Sequence, residues 1–136
     1  MVRLIYGAKG SGKTGKIVNE ANSRAEETDS VVFLTDTWRY RFDIRHEIRL
    51  INVMDYDLQT ELGFTGFIRG ILASNNDIHL MYIDGANRMV CKSIGEMESF
   101  YGALEKIGQK CKVEFVLTVS TDELPDFMDR FEKEKA

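Results

Sequence analysis

The sequence predicts an α/β fold in which about five mostly parallel strands form one sheet with helices on both of its faces. Short apolar runs alternate along the chain with longer amphipathic stretches, and this alternation is typical of βαβ units. At 136 residues the chain has the size of one domain, and neither an internal repeat nor a linker interrupts it. We therefore expect a single domain over residues 1–136, with right-handed crossovers between the parallel strands.

Five apolar runs predict the strands of this sheet: Val2–Tyr6, Ser30–Thr35, Arg49–Val53, Ile78–Ile83 and Lys112–Val119. Ligands of parallel sheets bind beyond the carboxyl ends of the strands. The residues that follow each run are therefore the first place to look for a functional site. They are Gly7–Thr14, Asp36, Met54–Asp57, Asp84 and Ser120–Thr121.

Four amphipathic stretches predict the helices. Lys13–Arg24 and Leu58–Ala73 carry apolar residues at spacings of three and four. Ser93–Glu96 has the S-x-x-E form of a capping box, and we expect a third helix to begin there. Ser120–Glu123 has the same form. We expect it to cap a final helix whose inward face carries Leu124, Phe127, Met128 and Phe131.

Composition narrows the class of protein. The net charge is −4, which argues against a protein whose main role is to bind nucleic acid. Cys91 and Cys111 fit no zinc-site spacing and are typical of reduced thiols, so we expect a cytoplasmic protein. No apolar run approaches the ~20 residues that are needed to span a bilayer, so we expect no membrane insertion.

The first predicted strand leads directly into a glycine-rich motif that carries most of the functional information. The segment matches G-x-x-x-x-G-K-[ST] in full, with the residues Gly7, Ala8, Lys9, Gly10, Ser11, Gly12, Lys13 and Thr14. Glycines let the backbone turn tightly and direct its N–H groups at phosphate oxygens, and the helix that follows adds its positive dipole end. The ammonium of Lys13 is placed to reach the outer phosphates, and the Thr14 hydroxyl is a suitable ligand for Mg²⁺.

With this motif between a strand and a helix, the chain resembles the P-loop NTPase superfamily over essentially its whole length, as a minimal core. It is similar to small uncharacterised bacterial ATP-binding proteins of that superfamily. The resemblance implies a three-layer P-loop NTPase core that binds a nucleoside triphosphate, most often ATP, with Mg²⁺. In one branch of the superfamily a further strand lies between the phosphate-loop strand and the strand that ends in the metal-associated aspartate. The position of Lys112–Val119 after Asp84 favours that arrangement.

The run L-M-Y-I-D, which ends at Asp84, resembles a Walker B strand. A carboxylate at that point holds the water shell of the metal, so Thr14 and Asp84 are the expected metal-associated residues. Many hydrolysing members have Glu directly after this Asp, whereas here the residue is Gly85. Two conclusions stay open. The water-activating carboxylate is elsewhere, with Asp36 and Asp55 as weak candidates, or the protein hydrolyses nucleotide slowly.

Residues 38–49 hold four arginines and three aromatic residues. A helix would place Arg41, Arg45 and Arg49 on one face, and a strand would place Arg39 and Arg41 on one face. One interpretation is a solvated charged surface with partial salt bridges. The alternative is functional. Arg39 or Arg41 would contact a phosphate in cis, act on a neighbouring subunit as an arginine finger, or form part of a small basic patch. Trp38 and Tyr40 are candidates for stacking on a nucleotide base or a second substrate.

Three functions compete at this stage. The first is Mg²⁺-dependent ATP binding with a weak or partner-dependent ATPase or switch activity, in which a homo-oligomer or a protein partner completes the site. The second is a non-enzymatic nucleotide-binding regulatory module, which Gly85 favours. The third is a nucleoside or other small-molecule kinase, because Asp36–Tyr40 and Asp84–Asn87 resemble segments of the thymidine-kinase-like branch. No four-cysteine zinc segment accompanies them, and little chain is left to form an acceptor lid.

Overall fold

The computed structural model describes all 136 residues and has an α/β architecture built on a six-stranded, all-parallel sheet. The strands are β1 (Val2–Gly7), β2 (Val31–Thr35), β3 (Arg49–Asn52), β4 (Leu80–Ile83), β5 (Glu114–Ser120) and β6 (Glu132–Lys135). The helices are α1 (Lys13–Ala25), α2 (Glu61–Ser74), α3 (Ala86–Met89) and α4 (Glu98–Cys111). Short 3₁₀ turns cover Val53–Tyr56, Ile94–Glu96 and Asp126–Met128.

The strand order is β3-β2-β4-β5-β1-β6. Strand β5 lies between β1 and β4, as the position of Lys112–Val119 in the sequence predicted. The register places Gly7 beside Ser120 and Ile83 beside Leu117. The carboxyl ends of β1, β5 and β4 therefore meet at one edge of the sheet, and whatever follows each strand faces the same space.

Each face of the sheet carries its own hydrophobic core, because side chains alternate between the two faces along every strand. Leu4 and Ile83 point into the larger core, which also contains Phe64 of α2 and Phe100 of α4. Ile5 and Tyr82, the neighbours of those strand residues, point into the smaller core under α1. The predicted parallel sheet with helices on both faces is thereby confirmed. None of the helices is both long enough and apolar enough to cross a membrane.

The prediction of a final helix is wrong, and the sheet has six strands rather than about five. The segment after Pro125 forms one 3₁₀ turn and then the edge strand β6. The ring of Phe131 packs 5.8 Å from that of Tyr101, which draws the tail back over α4. The following Glu-Lys-Glu-Lys alternation suits a solvated strand, and β6 pairs with the otherwise open edge of β1. The Thr121 hydroxyl oxygen accepts a hydrogen bond from the Glu123 amide at 3.2 Å, and this contact closes a turn instead of capping a helix.

Two other helix boundaries differ for local reasons. Helix α2 begins at Glu61 rather than Leu58, because the Thr60 side chain accepts a hydrogen bond from the Gly63 amide and caps it there. The Ser93–Glu96 capping box forms, but it closes a 3₁₀ turn, and α4 begins at Glu98.

A small polar network fastens α1 to the sheet. Glu20 accepts hydrogen bonds from the Arg3 guanidinium and, at 2.8 Å, from the Tyr82 hydroxyl. Burial is the largest single influence on the Glu20 carboxyl and opposes its ionisation. The hydrogen bonds from Arg3 and Tyr82 and the charge of Arg3 together outweigh burial, so the pKa of Glu20 lies below its usual value of 4.5.

Replacing Glu20 by Gln is expected to lower the free energy of unfolding by about 1–3 kcal/mol at pH 7, since charge-assisted hydrogen bonds to Arg3 are lost. A carboxyl whose pKa is lowered by folding stabilises the protein above its unfolded pKa and loses that effect as pH falls through the folded pKa. The difference between wild type and E20Q should therefore shrink below pH 4.5. Urea unfolding across pH measures it.

The matched control for this variant is Glu132→Gln, because Glu132 is exposed on the edge strand and forms no ion pair, whereas Glu134 on the same strand pairs with Arg3 and Lys16. It should leave the unfolding free energy nearly unchanged at every pH. An E20Q penalty that stays constant down to pH 3 would show that the carboxylate charge of Glu20 does not stabilise the fold.

Candidate functional site

The loop between β1 and α1 folds into a tight concave turn. Gly10 and Gly12 have φ angles of 83° and 92°, in the left-handed region that side-chain-bearing residues rarely adopt. A Cβ at Gly7 would lie 2.6 Å from the Ser11 hydroxyl oxygen, so the loop closes against its own first residue. The Ser11 amide donates to the Ala8 carbonyl at 3.0 Å. The loop thus has the geometry of an anion-binding nest in front of a helix.

Lys13 begins α1 and turns its side chain back over this loop. Its Nζ donates to the Ala8 carbonyl at 2.9 Å, and the residue is only 7% exposed. Burial lowers the pKa of Lys13, the nearby Asp84 carboxylate opposes that effect, and the positive charge of Arg88 adds to it. A buried ammonium beside a nest of amides is suited to bind a polyanion that enters the loop.

Asp84 follows β4 and is held from two sides. The Thr118 hydroxyl donates to Oδ1 at 2.6 Å, and the Thr14 hydroxyl donates to Oδ2 at 3.1 Å. Thr118 also accepts a hydrogen bond from the Gly85 amide at 3.2 Å. Asp84 is 4% exposed, so its carboxylate has a single defined orientation. The structure brings together Thr14 and Asp84, the two residues that the sequence analysis assigned to a metal.

Sequence reasoning missed Thr118. Its signal is a hydroxyl within the apolar run V-L-T-V, two positions before β5 ends. That signal is weak, because threonine is common in strands for packing reasons alone. Only the register, which puts Thr118 beside Asp84, distinguishes it.

Arg88 is the second residue that sequence reasoning missed. It lies on the short helix α3, and its Nε and Nη2 donate to the two carboxylate oxygens of Asp36 at 2.7 and 3.1 Å. Gly85 has a φ of 90°, and a Cβ there would lie 2.1 Å from Arg88 Nη2. The guanidinium therefore covers the space that any side chain at position 85 would need.

The two carboxylates that were weak candidates for a catalytic base are placed unfavourably for that role. Both carboxylate oxygens of Asp36 accept hydrogen bonds from Arg88, one from Nε and one from Nη2. Asp55 is exposed on the turn after β3, and β3 is separated from β1 by three other strands. Asp84 is the carboxylate that lines the cleft at the phosphate loop.

Residues 38–48 form successive turns, so neither the helix nor the strand considered for the arginine-rich segment is present there, and Arg49 begins β3. The segment is anchored because Ile44 and Ile48 pack into the smaller core under α1. Arg45 pairs with Glu47 at 2.9 Å and with Glu26 at 3.1 Å. This part of the segment is the solvated, salt-bridged surface of the first interpretation.

The start of the same segment has a different position. Arg39 and Tyr40 line the same cleft as the Gly7–Thr14 loop, and the guanidinium carbon of Arg39 lies 5.4 Å from the Tyr40 ring centroid. Arg41 lies outside the cleft, with its guanidinium carbon 4.7 Å from the ring centroid of Phe42. Trp38 is 41% exposed and does not line the cleft.

These elements enclose a cleft of about 620 Å³. Its lining is polar and strongly cationic, with Tyr40 as the only hydrophobic residue. The lining residues are Lys9, Gly10, Gly12, Lys13, Thr14, Gly15, Thr37, Arg39, Tyr40, Asp84, Arg88 and Ser120. A cleft of this charge suits a small polyanion.

The side chains of this lining offer only part of the coordination that a divalent cation needs, so water and a bound anion would have to supply the rest. No group of three or more His, Cys, Asp or Glu side chains is assembled anywhere in the structure. Thr14 and Asp84 offer a hydroxyl and a carboxylate oxygen, which are hard donors of the kind that Mg²⁺ prefers. Mg²⁺ commonly keeps several waters and takes its other ligands from phosphates, and these two residues are compatible with that mode.

No protein-family model matches the chain, and no curated protein is significantly similar to it.

Replacing Thr118 by Val is expected to destabilise the fold by about 1–3 kcal/mol, because the buried Asp84 carboxylate loses its shortest hydrogen bond and the Gly85 amide loses its acceptor. Valine keeps the shape of the side chain and the strand propensity. Thr118→Ser, which restores the hydroxyl, should recover most of the loss. Urea unfolding of both variants measures the effect, and equal stability of T118V and T118S would show that the hydroxyl contributes nothing.

Proposed function

We propose that this protein binds a nucleoside triphosphate, above all ATP, together with Mg²⁺, and that it is built on a P-loop NTPase core. The observation that carries the proposal is the arrangement of the Gly7–Thr14 motif. The motif leaves a buried strand, turns through two left-handed glycines and begins a helix, with the Lys13 ammonium folded back over the turn. Backbone amides, a helix N-terminus and a lysine then converge on one small volume.

The strand order supports the same proposal. With β5 between β1 and β4, the end of the phosphate-loop strand is one strand away from the end of the Asp84 strand. Thr14 and Asp84 line the same cleft, and the Thr14 hydroxyl donates to Asp84 at 3.1 Å. A Mg²⁺ ion held by these two residues would neutralise phosphate charge and help to orient the triphosphate.

The cleft argues for slow hydrolysis. Efficient hydrolysis needs a group that orients or deprotonates the attacking water. Gly85 has no side chain, and Arg88 covers the place where one would begin. Asp36 is paired with Arg88, and Asp55 is remote from the cleft. We infer that turnover is weak, or that it needs a group supplied by a second subunit or a partner protein.

The same observation favours a second candidate function, a nucleotide-binding module that does not turn over its ligand. The two candidates share the binding site and differ only in chemistry. Phosphate release measured on a sample already shown to bind Mg·ATP separates them. Release above the spontaneous rate supports a weak ATPase. Binding with no release, alone or with a partner, supports the module.

Lys13→Ala tests the binding proposal directly. We expect calorimetric titration of Mg·ATP to show an affinity loss of about ten- to a hundredfold or more, because a charge-assisted contact to the outer phosphates disappears. Lys16→Ala is the matched control, since Lys16 lies on the same helix but pairs with Glu134 at 3.2 Å, outside the cleft lining. Equal affinities for wild type, K13A and K16A would overturn the phosphate-loop assignment.

Asp84→Asn tests the metal. Asparagine keeps the shape and one acceptor for Thr118 but removes the charge that attracts Mg²⁺. In EDTA, D84N should bind ATP at least as tightly as wild type, because a negative charge near the phosphates is gone. Added Mg²⁺ should then strengthen binding to wild type much more than to D84N.

Asp55→Asn is the control for that experiment, as it removes an exposed carboxylate outside the cleft. It should keep the full gain in affinity from Mg²⁺. The same gain in wild type, D84N and D55N would show that Asp84 takes no part in metal binding.

A further inference from the structure

Arg88 occupies an unusual position that neither the phosphate-loop motif nor the metal pair explains. It is an arginine in the cleft wall, carried by the one-turn helix that follows Asp84. Two of its nitrogens are engaged by Asp36, and its guanidinium packs against the bare backbone of Gly85. An arginine held by two separate contacts is pre-oriented, and pre-orientation lowers the entropy lost when it binds a ligand.

The donors that remain indicate what Arg88 is oriented for. Asp36 engages Nε and Nη2, and Nη1 donates to no acceptor in the protein. Arg88 lines the same cleft as Lys13. Two cations that repel one another across a cleft are best accommodated by an anion between them.

We propose that Arg88 binds the outermost phosphate of a bound nucleoside triphosphate through Nη1, and that Asp36 is its positioning residue. This inference rests on the proposed function, and it adds a basis for preferring triphosphate to diphosphate. The amide nest and Lys13 belong to β1 and α1, whereas Arg88 belongs to the far wall after β4. A ligand that reaches both walls is longer than one that fills the nest alone.

The proposed role of Arg88 also explains why position 85 is a glycine. Any side chain there would begin 2.1 Å from Arg88 Nη2 and would push the guanidinium away from Asp36. Position 85, directly after Asp84, is therefore kept free of a side chain by the arginine that binds phosphate. The same arrangement that favours triphosphate over diphosphate leaves no side chain at position 85 to activate water.

The test compares the affinities of Mg·ATP, Mg·ADP and inorganic tripolyphosphate for the wild type and for Arg88→Ala. We expect R88A to bind Mg·ATP and tripolyphosphate about tenfold or more weakly and to bind Mg·ADP within about threefold of wild type. Arg88→Lys, which keeps the charge without the fork, should fall between the two. A wild-type ratio of ATP to ADP affinity in R88A would overturn the proposal.

R88A alone leaves the Asp36 carboxylate without its partner, so repulsion between that charge and phosphate is the competing explanation for weaker binding by R88A. The double variant R88A/D36N removes both charges and isolates the contact. We expect it to discriminate between ATP and ADP as poorly as R88A. Recovery of the wild-type ratio in the double variant would show that Arg88 merely shields Asp36 and binds no phosphate.

Asp36→Asn in the wild-type background tests the positioning role. It should reduce the ATP-to-ADP ratio by about threefold or more, and the same change made in R88A should leave the ratio unaltered, because Asp36 acts only through Arg88. An unaltered ratio in D36N alone would overturn the role assigned to Asp36. Since Arg88 is half-exposed, the variants should melt near wild type. A wild type that binds neither nucleotide would instead refute the proposed function itself.

Discussion

The buried carboxylate of Asp84 is the point on which the arrangement of the site depends. Thr118 of β5 and Thr14 of α1 each donate to one of its oxygens, so a residue after β4 is joined to two other elements. A buried charge is stable only when its lone pairs are satisfied, and no buried polar side-chain atom in the structure lacks a partner. The inserted position of β5 makes this possible, because it puts Thr118 within 2.6 Å of Asp84.

Much of this fold was predictable because its signals are local. Five of the six strands and the helices α1, α2 and α4 follow from runs and periodicities within single segments, and the tight Gly7–Thr14 turn follows from a contiguous glycine-rich motif. The tail was not predictable in that way. Residues Leu124–Phe131 have helical spacing, yet Phe131 packs on Tyr101 and β1 offers an open edge. Those two constraints come from distant parts of the chain, and together they override a weak local preference.

The residues of the candidate site also differ in whether their signal is local or depends on distant parts of the chain. Thr14, Lys13 and Asp84 were identified because each lies at the end of a predicted strand or in the motif itself. Arg88 and Thr118 had no comparable signal, since one lies on a one-turn helix and the other inside a strand. What makes them part of the site is pairing across the sheet, between β4 and β5 and between the ends of β2 and β4. Asp36 shows the reverse case, because its position was anticipated and its partner was not.

The charge distribution of the cleft links the proposed ligand to stability. Lys9, Lys13, Arg39 and Arg88 line one small volume, while Asp84 is the only carboxylate in that lining. Concentrated like charge opposes folding, and the charge of Arg88 adds to the burial that lowers the pKa of Lys13. Elsewhere in this protein cationic side chains lie on the solvated surface and are paired, as Arg45 is with Glu47 and Glu26. The four unpaired or closely spaced cations of the cleft are understandable if a polyanion occupies it, because the negative charge of that ligand offsets their repulsion. A ligand that binds only the folded state also stabilises the fold, by an amount that grows with its binding free energy.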